Sequence, residues 1–118
     1  MKPADQPVTI WHNPRCGKSR SALALLRERG IEPRVVEYLK TPPRAAELRE
    51  VLRKLGMTPE QLVRKGEDGY RALAGRTLTP AQWIDALLAD PILIERPIVI
   101  RGARAVVGRP PEKVLELL

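Results

Sequence analysis

The sequence is short of the residues from which many functional sites are built. Its 118 residues include one cysteine, Cys16, one histidine, His12, and no phenylalanine. A single cysteine excludes a disulfide framework and a zinc site made of several thiolates, and a single histidine excludes a multi-histidine site. We therefore expect no metal and no bound cofactor. Aromatic residues make up only 3% of the chain, which argues against a stacking platform for single-stranded nucleic acid.

Long apolar segments are absent as well. No apolar run approaches the ~20 residues needed to cross a bilayer, and residues 1–7 contain no apolar signal region. The expected location is the reducing cytoplasm. Positive charge, by contrast, is plentiful: 21 Lys and Arg against 14 Asp and Glu give a net charge of +7. That charge favours anionic partners but does not choose among oxyanions, acidic proteins and nucleic acid.

The first part of the chain alternates between β-type and helical patterns. Residues 8–11 form a short β-type run, followed by a loop marked by an Asn-Pro pair and a glycine. A helix is predicted to open at Lys18 or Ser19 and to end at Gly30. Residues 35–39 are predicted to be the second strand, and a right-handed crossover would make the two strands parallel.

The middle of the chain predicts a helical insertion at about residues 42–90. Apolar residues at helical spacing precede Gly56, which ends one predicted helix. The pattern Thr-Pro-x-Gln combines an N-cap, a proline at the first helical position and a glutamine at the third. It predicts a helix start at Thr58 and again at Thr79.

The last part of the chain returns to a β-type pattern. Residues 98–100 and 105–107 flank a turn that contains Gly102, which is typical of a β-hairpin. A final helix is predicted after Pro111, and its apolar face comprises Val114, Leu115, Leu117 and Leu118. The whole order predicts one α/β domain over residues 1–118, with a mixed four-stranded sheet covered by helices.

Cys16 is the residue at which the sequence most directly indicates chemistry. It lies between a strand and the predicted start of a helix, where main-chain N–H groups and the helix dipole favour negative charge. Arg15 and Lys18 add two cations beside it. These effects favour the nucleophilic thiolate, against the alternative of a small buried hydrophobic cysteine.

Four other side chains are candidates to assist the cysteine. Arg96 and Arg109 each precede a proline at the end of a predicted element, and a planar guanidinium holds two oxygens of an oxyanion at once. The alternative for both is a solvated surface arginine. His12 is either a base that acts on the sulfur or a structural histidine at the strand end. Ser19 donates to the sulfur, caps the helix, or does both.

An oxidised Cys16 has no second cysteine in this sequence to reduce it. Residues 16–19 have the form C-x-x-S, a single-thiol version of the C-x-x-C redox motif. An external thiol, such as glutathione or a thiol protein, must therefore restore the cysteine.

Five motifs in order resemble the glutaredoxin-dependent arsenate reductase family, and the similarity runs from about residue 8 to residue 118. They are HNPRCGKSR at residues 12–20, EYLKTPP at 37–43, LVRK at 62–65, PILIERPIV at 91–99 and GRPPE at 108–112. One departure is Gly108, which stands where some longer members of that family have cysteine.

The resemblance implies a thioredoxin-like fold with a helical insertion, and it implies roles for six residues. Cys16 would be the nucleophile and His12 and Ser19 would support it. The oxyanion would be bound by Arg64, Arg96 and Arg109. The Arg96–Pro97 peptide would correspond to the cis-proline of thioredoxin-like proteins.

The reaction implied by the resemblance is the reduction of arsenate to arsenite. Cys16 would attack arsenic(V), glutathione would act as co-substrate, and glutaredoxin would clear the mixed disulfide that remains. The expected partners are therefore arsenate or a related oxyanion, glutathione and glutaredoxin, with no nucleic acid and no membrane.

Three other functions are compatible with parts of the sequence. A thiol-transfer protein that acts on glutathione mixed disulfides would use the same cysteine. Spx-like regulators, a non-enzymatic branch of this fold, bind RNA polymerase and carry a C-x-x-C switch, whereas this chain has Ser19 at the second position. Nucleic-acid binding through net charge alone predicts a steep salt dependence.

Overall fold

The sheet consists of β1 (Val8–Trp11), β2 (Arg34–Val36), β3 (Ile98–Arg101) and β4 (Arg104–Val107). Their spatial order is β2-β1-β3-β4. Strand β1 runs parallel to β2 and antiparallel to β3, and β3 and β4 form an antiparallel hairpin. The predicted mixed four-stranded sheet and the parallel first pair are therefore confirmed. This computed structural model describes residues 6–118, so the prediction about a signal region falls mostly outside the described residues.

The core of this part of the chain lies between the sheet, the helix α1 (Gly17–Glu28) and a 3₁₀ helix, Pro111–Leu117. Helix α1 buries Ala22 and Leu26, which are four residues apart and so share one face. The apolar cluster that they join comprises Val8, Ile10, Ala22, Leu26, Val99, Val114 and Leu117. The face of β1 that carries Val8 and Ile10 is thus packed against α1 and the final 3₁₀ helix.

The final helix lies where it was predicted, but it is a 3₁₀ helix and not the α-helix that the prediction assumed. With about three residues per turn, Val114 and Leu117 share the buried face. Leu118 was predicted on that face, and this is wrong because it is 45% exposed. Two hairpin arginines hold the last carbonyls: Arg101 Nη1 donates to Leu117 O at 3.0 Å and Arg104 Nη2 donates to Glu116 O at 2.8 Å.

The second strand is shorter than predicted. It ends at Val36 instead of residue 39, because the carbonyl of Glu37 accepts hydrogen bonds from the N–H groups of Lys40 and Thr41 and so closes a turn. Tyr38 is fully buried in that turn. Tyr38, which suggested a longer strand, is therefore buried by turn geometry and not by sheet pairing, whereas Leu39 is exposed.

The chain folds into two compact units, one of Met1–Thr41 with Arg96–Leu118 and one of Pro42–Glu95. The second unit falls where the helical insertion was predicted and contains α2 (Ala45–Leu55) and α3 (Pro80–Ala89). Gly56 ends α2 in the left-handed conformation, with φ of 67°. The prediction that residues 1–118 form a single domain stays a prediction.

The two Thr-Pro-x-Gln patterns have different outcomes. At Thr79 the hydroxyl accepts from Gln82 N–H, the Gln82 side chain accepts from Thr79 N–H, and α3 follows. The same reciprocal pair forms at Thr58, but only the 3₁₀ turn Glu60–Leu62 follows it. The predicted helix there is wrong, because Val63 leaves the turn to form an antiparallel bridge with Ile94.

No helix within residues 6–118 combines the length and the apolar character needed to cross a lipid bilayer.

Candidate functional site

Cys16 is the N-cap of α1, which begins at Gly17, slightly earlier than predicted. Its N–H donates to Asn13 O at 2.9 Å, and its carbonyl accepts from Arg20 N–H at 3.0 Å. The loop between β1 and α1 is thus a tight turn that leads directly into the first helical hydrogen bond. The side chain is half-buried, so the sulfur is supported by the fold and still has access to solvent.

The surroundings of the sulfur lower the pKa of the Cys16 thiol below its ordinary value. Burial is the largest influence and raises the pKa, but it is outweighed by the main-chain N–H groups of Ser19 and Lys18 and by the charge and side-chain donor of Arg96. The sulfur makes no capping hydrogen bond of standard geometry. The N–H groups at the helix start nevertheless favour the thiolate over the thiol.

His12 contacts Ser19, which links it to the helix that bears Cys16. His12 Nδ1 and Ser19 Oγ are 2.6 Å apart and share a hydrogen bond whose donor depends on the imidazole tautomer. Burial is the main reason that the pKa of His12 lies below its ordinary value, so the ring is neutral at pH 7; Glu37 opposes this shift, and Arg27 and Arg20 add to it. The structure thus brings together His12 and Ser19, two of the predicted supporting residues, and they lie beside the Cys16 loop.

The Ser19 hydroxyl also accepts from Asn13 N–H at 3.0 Å, so it binds the loop at two points. Ser19 was predicted to donate to the sulfur, to cap the helix, or to do both. It donates to the sulfur through its main-chain N–H. The residue does not occupy the N-cap position, which belongs to Cys16. Its side chain instead organises the loop that precedes the helix.

Asn13 is a loop residue to which the sequence analysis assigned no role. It is 4% exposed, and its side-chain Oδ1 accepts from Arg15 N–H at 3.0 Å. Its main chain holds Cys16 and Ser19 through the two bonds described above. The signal in the sequence was the Asn-Pro pair, which marks a turn but does not show that the Asn13 side chain would be buried.

Arg96 and Arg109 lie in the same compact unit as Cys16. Arg96 is buried and acts directly on the thiol. Arg109 Nη1 donates to the main-chain carbonyl of Arg96 at 3.5 Å. The Arg96–Pro97 peptide is cis, as the resemblance implied, and the Arg109–Pro110 peptide is also cis. The alternative of a solvated surface arginine does not apply to Arg96.

Arg64 lies in the other compact unit, Pro42–Glu95. Its Nε is 3.5 Å from a carboxylate oxygen of Glu67, and its main-chain N–H donates to Leu93 O at 2.6 Å. Its assignment as a third oxyanion ligand stays a prediction. Throughout residues 6–118, no group of three or more His, Cys, Asp and Glu side chains is arranged to hold a metal ion.

The sheet order and the lone cysteine at the start of α1 define a single-cysteine protein of the thioredoxin-like class. The structure of an arsenate reductase from Vibrio cholerae matches it with a TM-score of 0.91 and 42% identity, over 96% of this chain and 98% of that one. The chain belongs to the ArsC family, whose family model matches residues 11–117. The resemblance found in the sequence is thereby confirmed.

Two relatives differ in whether their names state an activity. The chain is 50% identical to the uncharacterized protein YfgD of Escherichia coli (strain K12) over 114 residues, which cover 94% of this chain and 96% of that protein. It is 43% identical to an arsenate reductase of Rhizobium meliloti (strain 1021) over 113 residues, which cover 94% of this chain and 81% of the relative.

Proposed function

We propose that this protein is an arsenate reductase that uses glutathione as co-substrate and glutaredoxin as partner. The observation that carries the proposal is the Cys16 thiol at the start of α1. Its pKa is lowered despite burial, by the N–H groups of Ser19 and Lys18 and by Arg96. Membership of the ArsC family and similarity to proteins named arsenate reductase support the same conclusion.

The first step is attack by the Cys16 thiolate on arsenic(V). A sulfur–arsenic bond forms and an oxygen of arsenate leaves as hydroxide, which takes up a proton to become water. Arg96, Arg109 and Arg64 hold the oxyanion and spread its charge, because a guanidinium binds two oxygens at once and keeps its own charge. Donors fixed in advance around the developing charge lower the barrier.

The second step is attack by the thiolate of glutathione on the sulfur of Cys16. A disulfide forms, the sulfur–arsenic bond breaks, and its electron pair reduces arsenic(V) to arsenic(III), which leaves as arsenite. Two thiols are oxidised while arsenic gains two electrons. Glutaredoxin then reduces the mixed disulfide by thiol–disulfide exchange, since Cys16 is the only cysteine in the sequence.

The proposal is tested by measuring arsenite formation from arsenate with glutathione and glutaredoxin present. We expect the natural protein to form arsenite and the variant Cys16→Ser to form none above the uncatalysed background. A folded protein that forms no arsenite, yet still forms a Cys16–glutathione disulfide, would reject arsenate and support thiol transfer. In a pull-down experiment, binding of RNA polymerase that persists in the variant Cys16→Ala would support the regulator instead.

The three arginines are tested one at a time by substitution with alanine. Loss of a hydrogen bond to a charged ligand should raise KM for arsenate by about tenfold or more at each position. Arg49, which is exposed on α2, provides the matched control, and Arg49→Ala should leave KM unchanged. Equal effects at all four positions would remove the special status of Arg64, Arg96 and Arg109.

A further inference from the structure

A groove of about 660 Å³ runs along the exposed side of α1, inside the first compact unit. His12, Pro14 and Arg20 line one end of it, and later turns of the helix line the rest. Cys16 lies between Pro14 and Arg20 in the sequence, so this end of the groove is the one next to the nucleophile. The described residues that line the groove include none of the three arginines that we assign to arsenate, so the groove is a separate feature.

The guanidinium of Arg20 folds back over the start of α1. Its Nη1 donates to Pro14 O at 3.0 Å, and its Nη2 is 3.7 Å from the position of a Cβ added at Gly17, the residue after Cys16. The bond to Pro14 uses one of its five N–H donors. Within residues 6–118 no carboxylate forms an ion pair with this side chain, and Glu28, the acidic residue of the groove, lies about 12 Å farther along the helix. The charge of Arg20 is therefore available to an anion beside Cys16.

His12 supplies a second donor at the same end. Ser19 Oγ accepts from Asn13 N–H, and its own proton goes to His12 Nδ1 at 2.6 Å, so the neutral ring carries its proton on Nε2. Among residues 6–118, Nε2 has no hydrogen-bond partner, and it is not one of the buried side-chain atoms that lack one. Since the residue is only 7% exposed and lines the groove, this N–H faces the groove. The charge of Arg20 also acts on the ring, so the two donors are neighbours.

The other charged groups near this ring are already paired. Glu37 and Arg27 both act on the imidazole of His12, the first from the turn after β2 and the second from α1. The Glu37 carboxylate is 3.4 Å from Lys40 Nζ, and Arg27 Nη2 is 3.1 Å from a carboxylate oxygen of Glu32. The two donors at the loop end are therefore available to a single carboxylate, which accepts from several donors at once.

Glutathione carries one carboxylate that fits these donors. Its glycine ends in a carboxylate with no ammonium beside it, whereas the carboxylate of the γ-glutamyl group shares its carbon with an ammonium, which a guanidinium repels. Adjacent α-carbons are about 3.8 Å apart. The glycine carboxylate is one residue away from the thiol of glutathione, and the guanidinium of Arg20 lies over the residue next to Cys16, so the two separations match.

We propose that Arg20 and His12 bind the glycine carboxylate of glutathione and so direct its thiol to the sulfur of Cys16. This inference rests on the proposed function, because it names the site of the co-substrate in that reaction. The site takes one carboxylate at one end of the groove and is separate from the arginines that hold arsenate.

The glycine amide of glutathione, in which a neutral amide replaces the glycine carboxylate, tests the pairing through kinetics. A single turnover with arsenate needs no glutaredoxin, and mass spectrometry follows the Cys16–glutathione disulfide that it leaves. In the natural protein, the amide should need about a fivefold higher concentration than glutathione for the half-maximal rate, the scale of one exposed charge pair. In Arg20→Gln the concentration of glutathione should rise by the same factor, and the difference between the two thiols should disappear.

The matched control is Arg29→Gln, which removes the same charge from the other end of the same helix. Arg29 is exposed at the C-terminal end of α1 and does not line the groove. This variant should keep the fivefold difference between glutathione and its amide. If Arg20→Gln also keeps that difference, or if the natural protein does not distinguish the two thiols, the assignment is wrong.

The only histidine in the sequence gives a spectroscopic readout of the second donor. In nuclear magnetic resonance spectra, the imidazole nitrogen signals of His12 should show the proton on Nε2. S-methylglutathione, which cannot react, should shift the Nε2 signal, and its glycine amide should leave that signal in place. A proton on Nδ1, or an equal shift caused by inorganic phosphate, would overturn the assignment.

The same measurement separates this inference from the proposed reaction. A selective shift by S-methylglutathione in a protein that forms no arsenite would reject the reaction and keep the carboxylate site. Arsenite formation with no shift at Nε2, and with no difference between glutathione and its amide, would reject the carboxylate site and keep the reaction.

Discussion

At the scale of single residues, Cys16 and Arg96 are the pair in the candidate site whose interaction lowers the pKa of the thiol. Arg96 was singled out in the sequence because it precedes a proline, and the structure shows it buried against the thiol. The sequence could not give that burial, because arginine and asparagine are usually exposed and their burial depends on tertiary packing. Asn13 was missed for the same reason.

The first prediction concerns the ionisation of Cys16. Alkylation by iodoacetamide follows the thiolate, so its rate in the natural protein should reach half its maximum below the free-cysteine value of about 8.5. Arg96→Gln removes a cation that favours the thiolate, and the midpoint should therefore move upward. Arg49→Gln is the control and should not move it. An unchanged midpoint in Arg96→Gln would contradict the role given to Arg96.

At the scale of elements, helices and strands were predicted most accurately where one local signal was enough. β1 and the hairpin have the predicted positions, and Gly30 and Gly56 end their helices in the left-handed conformation. The errors lie where a residue distant in the sequence determines the local conformation. The cap at Thr58 forms as expected, yet the chain leaves the helix because Val63 bridges to Ile94, and sequence spacing holds no information about that bridge.

Gly108 shows how closely the end of β4 packs on its neighbours, and it carries the second prediction. A Cβ there would lie 2.9 Å from Pro97 Cγ and 3.2 Å from Val114 Cγ1. Gly108→Ala should therefore lower the free energy of unfolding by about 1–3 kcal/mol through overpacking, as measured by urea denaturation. Gly66→Ala is the control, since nothing lies within 4 Å of its added carbon. Equal stability of the two variants would contradict the packing argument.

At the scale of the whole molecule, the composition establishes a positive net charge but does not identify a ligand. A net charge of +7 was compatible with nucleic acid, acidic proteins and oxyanions. The choice of an oxyanion came from the spaced motifs, which resembled one family. The match of the ArsC family model to residues 11–117 confirms that family. Physical patterning alone reached a reactive cysteine in an α/β fold, whereas Arg64, in the other compact unit, entered only through the resemblance.

The third prediction follows from that charge and does not depend on arsenate. Iodoacetate is an anion and iodoacetamide is neutral, but both alkylate the same thiolate. The positive potential should attract iodoacetate, so the ratio of its rate to that of iodoacetamide should exceed the ratio for free cysteine at low salt. Added sodium chloride should lower the ratio by screening. A ratio that is independent of salt would contradict electrostatic steering.

The position of Cys16 as the N-cap of α1 joins the chemistry of the sulfur to the stability of a helix end. As a thiolate, the sulfur places a negative charge at the positive end of the helix dipole, whereas a disulfide or an alkylated sulfur carries none. The first turn of α1 should therefore loosen when a neutral group, such as that left by iodoacetamide, blocks the cysteine, and tighten when the thiolate is freed. Deuterium uptake at the amides of Lys18 and Ser19 would then report, from the backbone alone, whether Cys16 is free to react.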